Sequence, residues 1–448
     1  MKKLNRLTAL AVALAVCFSA CKEDEIVESG DPSTGTTEIP EDFSSYTSEQ
    51  NKANLEDNGI ELIHEMDALQ EAPGTQASAS FAYWMGQSSE APANGRILNA
   101  ARTLQKYQDG SATVKDVFAT LRTQADEPSS IQEYYDKYTG IYSWNHGTEK
   151  WDYNSEGDKI VFEFPSTESG TANDAVLTIH SYEGIASPNP LGDDYEGDLP
   201  TKFVSELKVE GKQALVYNFN AAYNEDGTPT SVKTSLSISN YTFAFEAKND
   251  SENVGSAYSL TKGDKILISM GAGAKGTFTT ENIEKISASE DANPGDLATE
   301  ANAFFQVMDI KIAGNVDIVP LADGMEEIYG DDAVMEGDVE EENYSEQAVK
   351  EAKLLNETVN LVVFYASKKQ KIADSEFYTY EETYTYDNYY YNEDTQTWEV
   401  EEVEESYTSV NMRFIFADET KSDMETYFGE GFDELSSELA KFLRSLEG

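Results

Sequence analysis

The sequence predicts an α+β fold: a helical N-terminal region, then an antiparallel β meander of hairpins with packed helices, closed by an amphipathic C-terminal helix. Two observations carry this reading. Apolar residues recur at helical spacing before about Gly140 and at a period of two after it, and glycine-bearing turns then return at hairpin intervals. A third observation supplies the material. Hydrophobic residues make up 39% of 448 residues and aromatics 11%, enough for more than one core.

In chain order, Leu55, Ile60, Leu62, Ile63, Met66 and Leu69 mark a first amphipathic helix, and Ile97 to Tyr107 and Val114 to Leu121 repeat the pattern. Residues 45–140 are therefore expected to be helical. Across 141–290 an antiparallel β domain is expected. Phe203, Ser205, Leu207 and Val209 alternate with Val204, Glu206, Lys208 and Glu210, and Leu215, Tyr217, Phe219, Ala221 and Tyr223 continue the alternation. The turns Glu210-Gly211-Lys212, Asn224 to Gly227 and Lys262-Gly263-Asp264 separate these runs. Helical spacing over Leu297 to Phe305 and ten acids between Asp323 and Glu342 suggest a helical, acidic linker over 291–356, with a short helix from Ser345 to Leu355. Residues 357–448 read as a second hairpin module. It holds a strand from Val359 to Tyr365, a Tyr-rich hairpin from Phe377 to Tyr407, and a final helix bearing Tyr427, Phe428, Leu435, Leu439, Phe442 and Leu443.

One internal similarity links the two β regions. Trp144-Asn145-x-x-Thr148-x-x-Trp151 and Tyr391-Asn392-x-x-Thr395-x-x-Trp398 share their spacing, which suggests two related hairpins.

Charge excludes one class of partner. With 84 acidic and 32 basic residues the formal charge is -52, and such a field repels nucleic acid, whose binding depends on Lys and Arg neutralising phosphate. Cysteine use excludes another chemistry. Cys17 and Cys21 are the only two, and both lie near the N-terminus.

That N-terminus has the layout of a secretory signal peptide over 1–20. Lys2, Lys3 and Arg6 precede an apolar run, Leu7 to Val16, too short to span a bilayer. Ordinary cleavage wants small residues one and three positions before the cut, and Phe18 does not fit. Phe18-Ser19-Ala20-Cys21 instead resembles a lipoprotein lipobox, although Phe18 departs from its usual aliphatic residue. The acids in Lys22-Glu23-Asp24-Glu25 are similar to the surface-export signal of Bacteroidota lipoproteins. The resemblance implies cleavage before Cys21, acylation of that residue, and an outer-membrane lipoprotein facing the cell exterior. Its partner would be the lipid bilayer, reached through two or three acyl chains. Residues 21–44 form the expected tether, reaching roughly 25 to 30 Å if flexible.

Motifs for chemistry argue mostly against themselves. Gly271-Ala272-Gly273-Ala274-Lys275-Gly276 matches a dinucleotide fingerprint, yet Thr277-Phe278-Thr279-Thr280 follows where a helix is needed. His64-Glu65 starts a zinc-peptidase pattern whose second histidine is replaced by Ala68. Asp193, Asp194, Glu196 and Asp198 form a candidate calcium loop without EF-hand spacing. No other cofactor is suggested. Within the Tyr-rich hairpin, Tyr378, Tyr380, Tyr384 and Tyr386 share one face by parity, and with Trp398 they form the candidate ligand-contact surface. The same row also reads as one wall of a core.

The sequence thus suggests a non-catalytic surface lipoprotein that binds a glycan or an envelope protein. Two alternatives stay open: a periplasm-facing lipoprotein carrying a hydrophobic ligand in a curved sheet, and a carboxylate-dependent hydrolase.

Overall fold

A computed structural model describes residues 38–87, 131–187, 198–289, 293–329, 341–392, 396–429 and 431–447. The period-two region becomes one mostly antiparallel sheet of 16 strands, and the fold is mixed α/β with strand dominant. Its strands are β1 (Gly140–Asn145), β2 (Lys150–Asn154), β3 (Ile160–Phe164), β4 (Ala175–Ala186), β5 (Asp198–Val209), β6 (Lys212–Tyr223), β7 (Pro229–Ile238), β8 (Tyr241–Asn249), β9 (Asn253–Lys262) and β10 (Lys265–Gly276). The series continues with β11 (Ala298–Val307), β12 (Ile310–Asp317), β13 (Val359–Tyr365), β14 (Gln370–Asn392), β15 (Thr397–Ile415) and β16 (Lys421–Asp423). From β3 to β16 each strand pairs with the next in sequence, while β1 lies between β2 and β3 and pairs with β3 in parallel.

Short turns explain the unbroken meander. Glu210 and Gly211 both take positive φ, 51° and 75°, as a two-residue type I′ hairpin requires. Ser239, Gly263 and Met308 take positive φ at the first position of the other two-residue turns. Four tight turns therefore gather at one end of the sheet.

Helix α1 (Ser48–Gln70) crosses that end. It starts in a capping box, with the Gln50 amide N–H donating to Thr47 and the Thr47 N–H donating to the Gln50 side chain. The Tyr365 hydroxyl on β13 donates to Asn51 Oδ1 and accepts from Asn54 Nδ2, both at 2.8 Å. Asn58 accepts from the Asp309 N–H, and Glu65 accepts from Lys262 and Tyr241 on β9 and β8. From Asn51 to Glu65 the helix rises about 21 Å. Five strand spacings from β13 to β8 span about 24 Å, so one helix reaches all six strand ends. Helix α2 (Pro73–Gln87) then packs on the early strands, where Gly74 sits so close that a Cβ would lie 2.3 Å from the Ala214 carbonyl oxygen. Phe81 and Trp84 of α2 enter an aromatic core with Trp144, Trp151, Phe162 and Phe164. Helix α3 (Ile131–Lys137) adds Tyr135 to that core.

Beyond β10, α4 (Thr280–Ser287) leads to β11, and α5 (Ile318–Tyr329) and α6 (Glu341–Thr358) connect β12 to β13. Helices α7 (Met424–Gly429) and α8 (Asp433–Glu447) end the chain. Glu56 of α1 accepts the N–H groups of Glu434 and Leu435, so the first helix caps the last. A second core gathers Ile310, Val363, Tyr365, Phe414, Phe416 and Tyr427.

Several expectations change. Within the stretch Leu297 to Phe305, the residues from Ala298 on form β11, because Asn302, Phe304 and Gln306 alternate with Ala303 and Phe305 between two paired neighbours. Among its described residues the region 291–356 therefore holds β11, β12, a 3-10 turn at Pro294–Asp296, α5 and most of α6 in place of a linker, and Asp323 lies inside α5. The pairing runs without a break from β10 through β11 and β12 into β13, joining the two expected β modules in one sheet. Tyr427 and Phe428 belong to α7, separate from the last helix. The stretches Ile97 to Tyr107 and Val114 to Leu121 lie outside the described residues.

Candidate binding surface

β14 and β15 pair only with each other beyond their roots. Pairing of β13 with β14 ends at Asp374, whereas β14 and β15 remain in register from Asp374 opposite Ile415 to Asn392 opposite Thr397. Asn356 of α6 replaces the next ladder partner, its Nδ2 donating to the Phe377 carbonyl and its Oδ1 accepting the Phe377 N–H, each at 2.8 Å. From Glu381 outward the ribbon carries acids along both strands, among them Glu381, Asp387, Glu401, Glu402 and Glu404. Charge on both open edges opposes pairing with another chain.

Strand parity divides the ribbon into two faces. One bears Tyr378, Tyr380, Tyr384, Tyr386, Tyr390 and Tyr407, interleaved with carboxylates. Tyr384 and Tyr386 donate to the two oxygens of Glu405 at 2.6 and 2.7 Å, and their rings stack 5.8 Å apart. Tyr390 donates to Glu399, and Tyr380 to Glu382. Hydrogen bonds from Tyr384 and Tyr386 hold the Glu405 carboxyl below the usual carboxylate range, and the bond to Glu405 pushes the Tyr386 phenol up. From Glu381 to Tyr391 the row is no core wall, since every described side chain there is exposed, while Tyr378 and Tyr380 nearer the root are half-buried and the Tyr378 ring lies under Arg413.

The opposite face carries Tyr389, Tyr391, Trp398 and Val400. Tyr391 lies directly across from Trp398, ring centroids 5.6 Å apart at 67°. Trp398 is 70% exposed and Tyr389 63%. Trp398 therefore does not join Tyr378, Tyr380, Tyr384 and Tyr386 on one surface; it backs them from the other side. Sequence reasoning missed Tyr389 and Tyr391 as its neighbours, although the parity argument that grouped the tyrosines would have placed them.

A second surface lies on the sheet itself. Phe219, Thr234, Phe245, Tyr258, Met270, Phe305 and Ile312 stand opposite one another across β6 to β12, on the side that α1 covers nearer the turns. The helix covers the row nearest the turns, including Leu236 and Leu260, but leaves Tyr258, Met270 and Phe305 exposed.

The remaining sequence candidates are not brought together. Cys21, Lys22, Glu23, Asp24, Glu25, Asp193, Asp194 and Glu196 lie outside the described residues. Asp198 is buried at the start of β5 and accepts from the Gln132 N–H. No group of three or more His, Cys, Asp or Glu side chains suited to a metal occurs among the described residues, and no described helix is long and apolar enough to cross a membrane. Glu65, beside His64, is engaged by Lys262 and Tyr241, while His146 stands by the Trp84 ring and His180 near Lys159 and Glu206. Gly271 to Gly276 is the end of β10, and Gly271 is small because the Phe304 ring lies against it. In comparison with known proteins, the chain matches no family model, no curated protein and no solved structure.

Proposed function

We propose that this chain is an outer-membrane lipoprotein, anchored through acylated Cys21 and facing the cell exterior, whose β14–β15 arm binds a glycan or protein partner without catalysis. The observation that carries the reading is the exposure of Trp398 and Tyr389 on a ribbon that projects past the sheet. Aromatic rings held in solvent by a paired backbone offer large, rigid contact area at small entropic cost. The interleaved carboxylates suit hydroxyl donors and basic groups, and disfavour anions. Glycan-array and pull-down assays on the full chain, repeated with Trp398→Ala and Tyr389→Ala, test it. Loss of the bound species in both variants is the expected result; undiminished binding removes the arm from consideration.

A second reading is favoured by the Tyr258, Met270 and Phe305 row, which suits an apolar ligand laid on the sheet. Met270→Glu would then abolish uptake of a fluorescent fatty acid.

A further inference from the structure

We infer that the cleft at the root of the arm is a saccharide subsite for a neutral or amino sugar of one or two rings; this deepens the binding role proposed for the arm by naming a ligand class at its base. The cleft opens where α5 and α6 meet β15. Its volume is about 450 Å³, within the range of small-ligand sites. Tyr329 and Tyr407 line it with half-exposed rings, and Gln347, Glu351, Thr408 and Ser409 supply an amide, a carboxylate and two hydroxyls. Among the described residues, no lysine or arginine lines it.

This set matches the chemistry of a sugar ring. A pyranose presents an apolar C–H face that packs on an aromatic ring and a rim of hydroxyls that both donate and accept. Tyr329 donates to Glu351, which fixes the carboxylate beside the ring, and the Gln347 amide nitrogen donates to the Ile328 carbonyl. Thr408 is hydrogen-bonded to Ser345 at 2.7 Å, so helix and strand are tied together at the wall. The elements are positioned before any ligand arrives, because Leu354 of α6 packs on Gly324 of α5 and α6 is bound to β14 through Asn356. The Glu351 carboxylate turns away sulfated sugars, uronic acids and phosphate groups.

Titration calorimetry of the full chain with cellobiose, maltose and N,N′-diacetylchitobiose tests the assignment, with a trilysine peptide as the competing ligand class. At least one disaccharide is expected to bind. Tyr329→Ala and Glu351→Gln should weaken it about tenfold or more, while Tyr329→Phe, which keeps the ring, should stay within about threefold. Thermal unfolding of each variant checks that the fold is retained, and the near-isosteric Glu351→Gln keeps the test decisive if Tyr329→Ala loosens the fold. Binding of the peptide but of no disaccharide overturns the inference, as does unchanged affinity in both cleft variants. If glycan capture depends on Trp398 while the cleft variants behave as wild type, the inference fails and the arm reading stands. If the cleft variants lose disaccharide and Trp398→Ala changes nothing, the subsite stands and the arm reading fails.

Discussion

The hairpin at Trp144–Trp151 and the hairpin at Tyr391–Trp398 are built alike and housed differently. In each, two aromatic residues stand directly opposite across the strands, with ring centroids 5.7 and 5.6 Å apart and interplanar angles of 72° and 67°. In each, the residue two places before the second aromatic, Glu149 or Gln396, takes a positive φ of 54°. Yet Trp144 and Trp151 are 4% and 6% exposed beneath α2, whereas Trp398 is 70% exposed. Local chemistry sets the hairpin, and the presence of a covering helix sets its role. The covered hairpin closes a core, and the rings of the uncovered one face solvent.

The most severe way to break this contrast is to truncate both copies. Trp151→Ala should cost about 3 to 5 kcal/mol, because a buried aromatic leaves both lost burial and a cavity. Trp398→Ala should stay within about 0.5 kcal/mol, as expected of an exposed side chain whose ring packs on Tyr391. Urea unfolding of both variants measures the difference. Equal losses would falsify the claim that the two hairpins differ only in their cover.

Removing the cover should act next most strongly. Gly74→Ala brings a methyl against the Ala214 carbonyl oxygen and pushes α2 away from the sheet, an overpacking effect of about 1 to 3 kcal/mol. Three of the chain's four tryptophans, Trp84, Trp144 and Trp151, are buried together, so the native-state fluorescence should shift toward longer wavelength. No spectral change would mean that α2 does not shield the first hairpin.

A smaller effect concerns how α1 is fixed to the turn end. Burial raises the Glu65 carboxyl, but the hydrogen bonds from Lys262 and Tyr241 outweigh it and leave the group below its ordinary value of 4.5. A depressed carboxyl adds stability that is present above the unfolded value and is lost as pH falls through the folded one. Glu65→Gln should therefore lower stability at neutral pH and flatten its decline below pH 4.5. Parallel acid-unfolding curves for wild type and variant would count against that anchoring.

Much of this was legible in the sequence, for definite reasons. Alternation over Phe203 to Leu207 marks the buried side of β5, whereas in β6 and β8 burial reaches both sides, at Leu215 and Tyr217 but also Asn218, and at Tyr241 but also Ala244; Val359 to Tyr365 is bounded by a helix and a turn. Gly271 and Gly273 lie within β10, paired on both sides, and the strand character read into Thr277 to Thr280 gives way to a short connection and the start of α4 at Thr280. Leu297 to Phe305 misled because small residues such as Ala298, Ala301 and Ala303 fit helical spacing as well as strand alternation. Only the neighbours β10 and β12 decide between them. For the candidate surface, parity told which tyrosines share a face but not whether anything lies over that face. Cover is a long-range property, so Tyr384 on the arm and Phe414 in the core look equivalent in sequence and are opposite in exposure.

The smallest expected effect tests the uncovered hairpin on its own terms. Its phenols and carboxylates hold one another: the hydrogen bond to Glu399 raises Tyr390, the bond to Glu405 raises Tyr386, and the Tyr384 and Tyr386 hydroxyls lower Glu405. The raised phenols contribute order that is present below their ordinary value of 10 and is lost as pH rises through the raised values. The lowered carboxylate contributes above 4.5 and loses it as pH falls. Between those limits the ladder is complete, so ligand capture by the arm should be flat across neutral pH and decline only at the two extremes. Glu405→Gln should leave the unfolding midpoint unchanged while lowering the alkaline limit, because Tyr386 then titrates nearer its ordinary value. Ultraviolet titration of the phenols reads this directly. Identical titrations in the variant would show that Tyr384 and Tyr386 are not held by Glu405, and the rigidity argued for the arm would lose its basis.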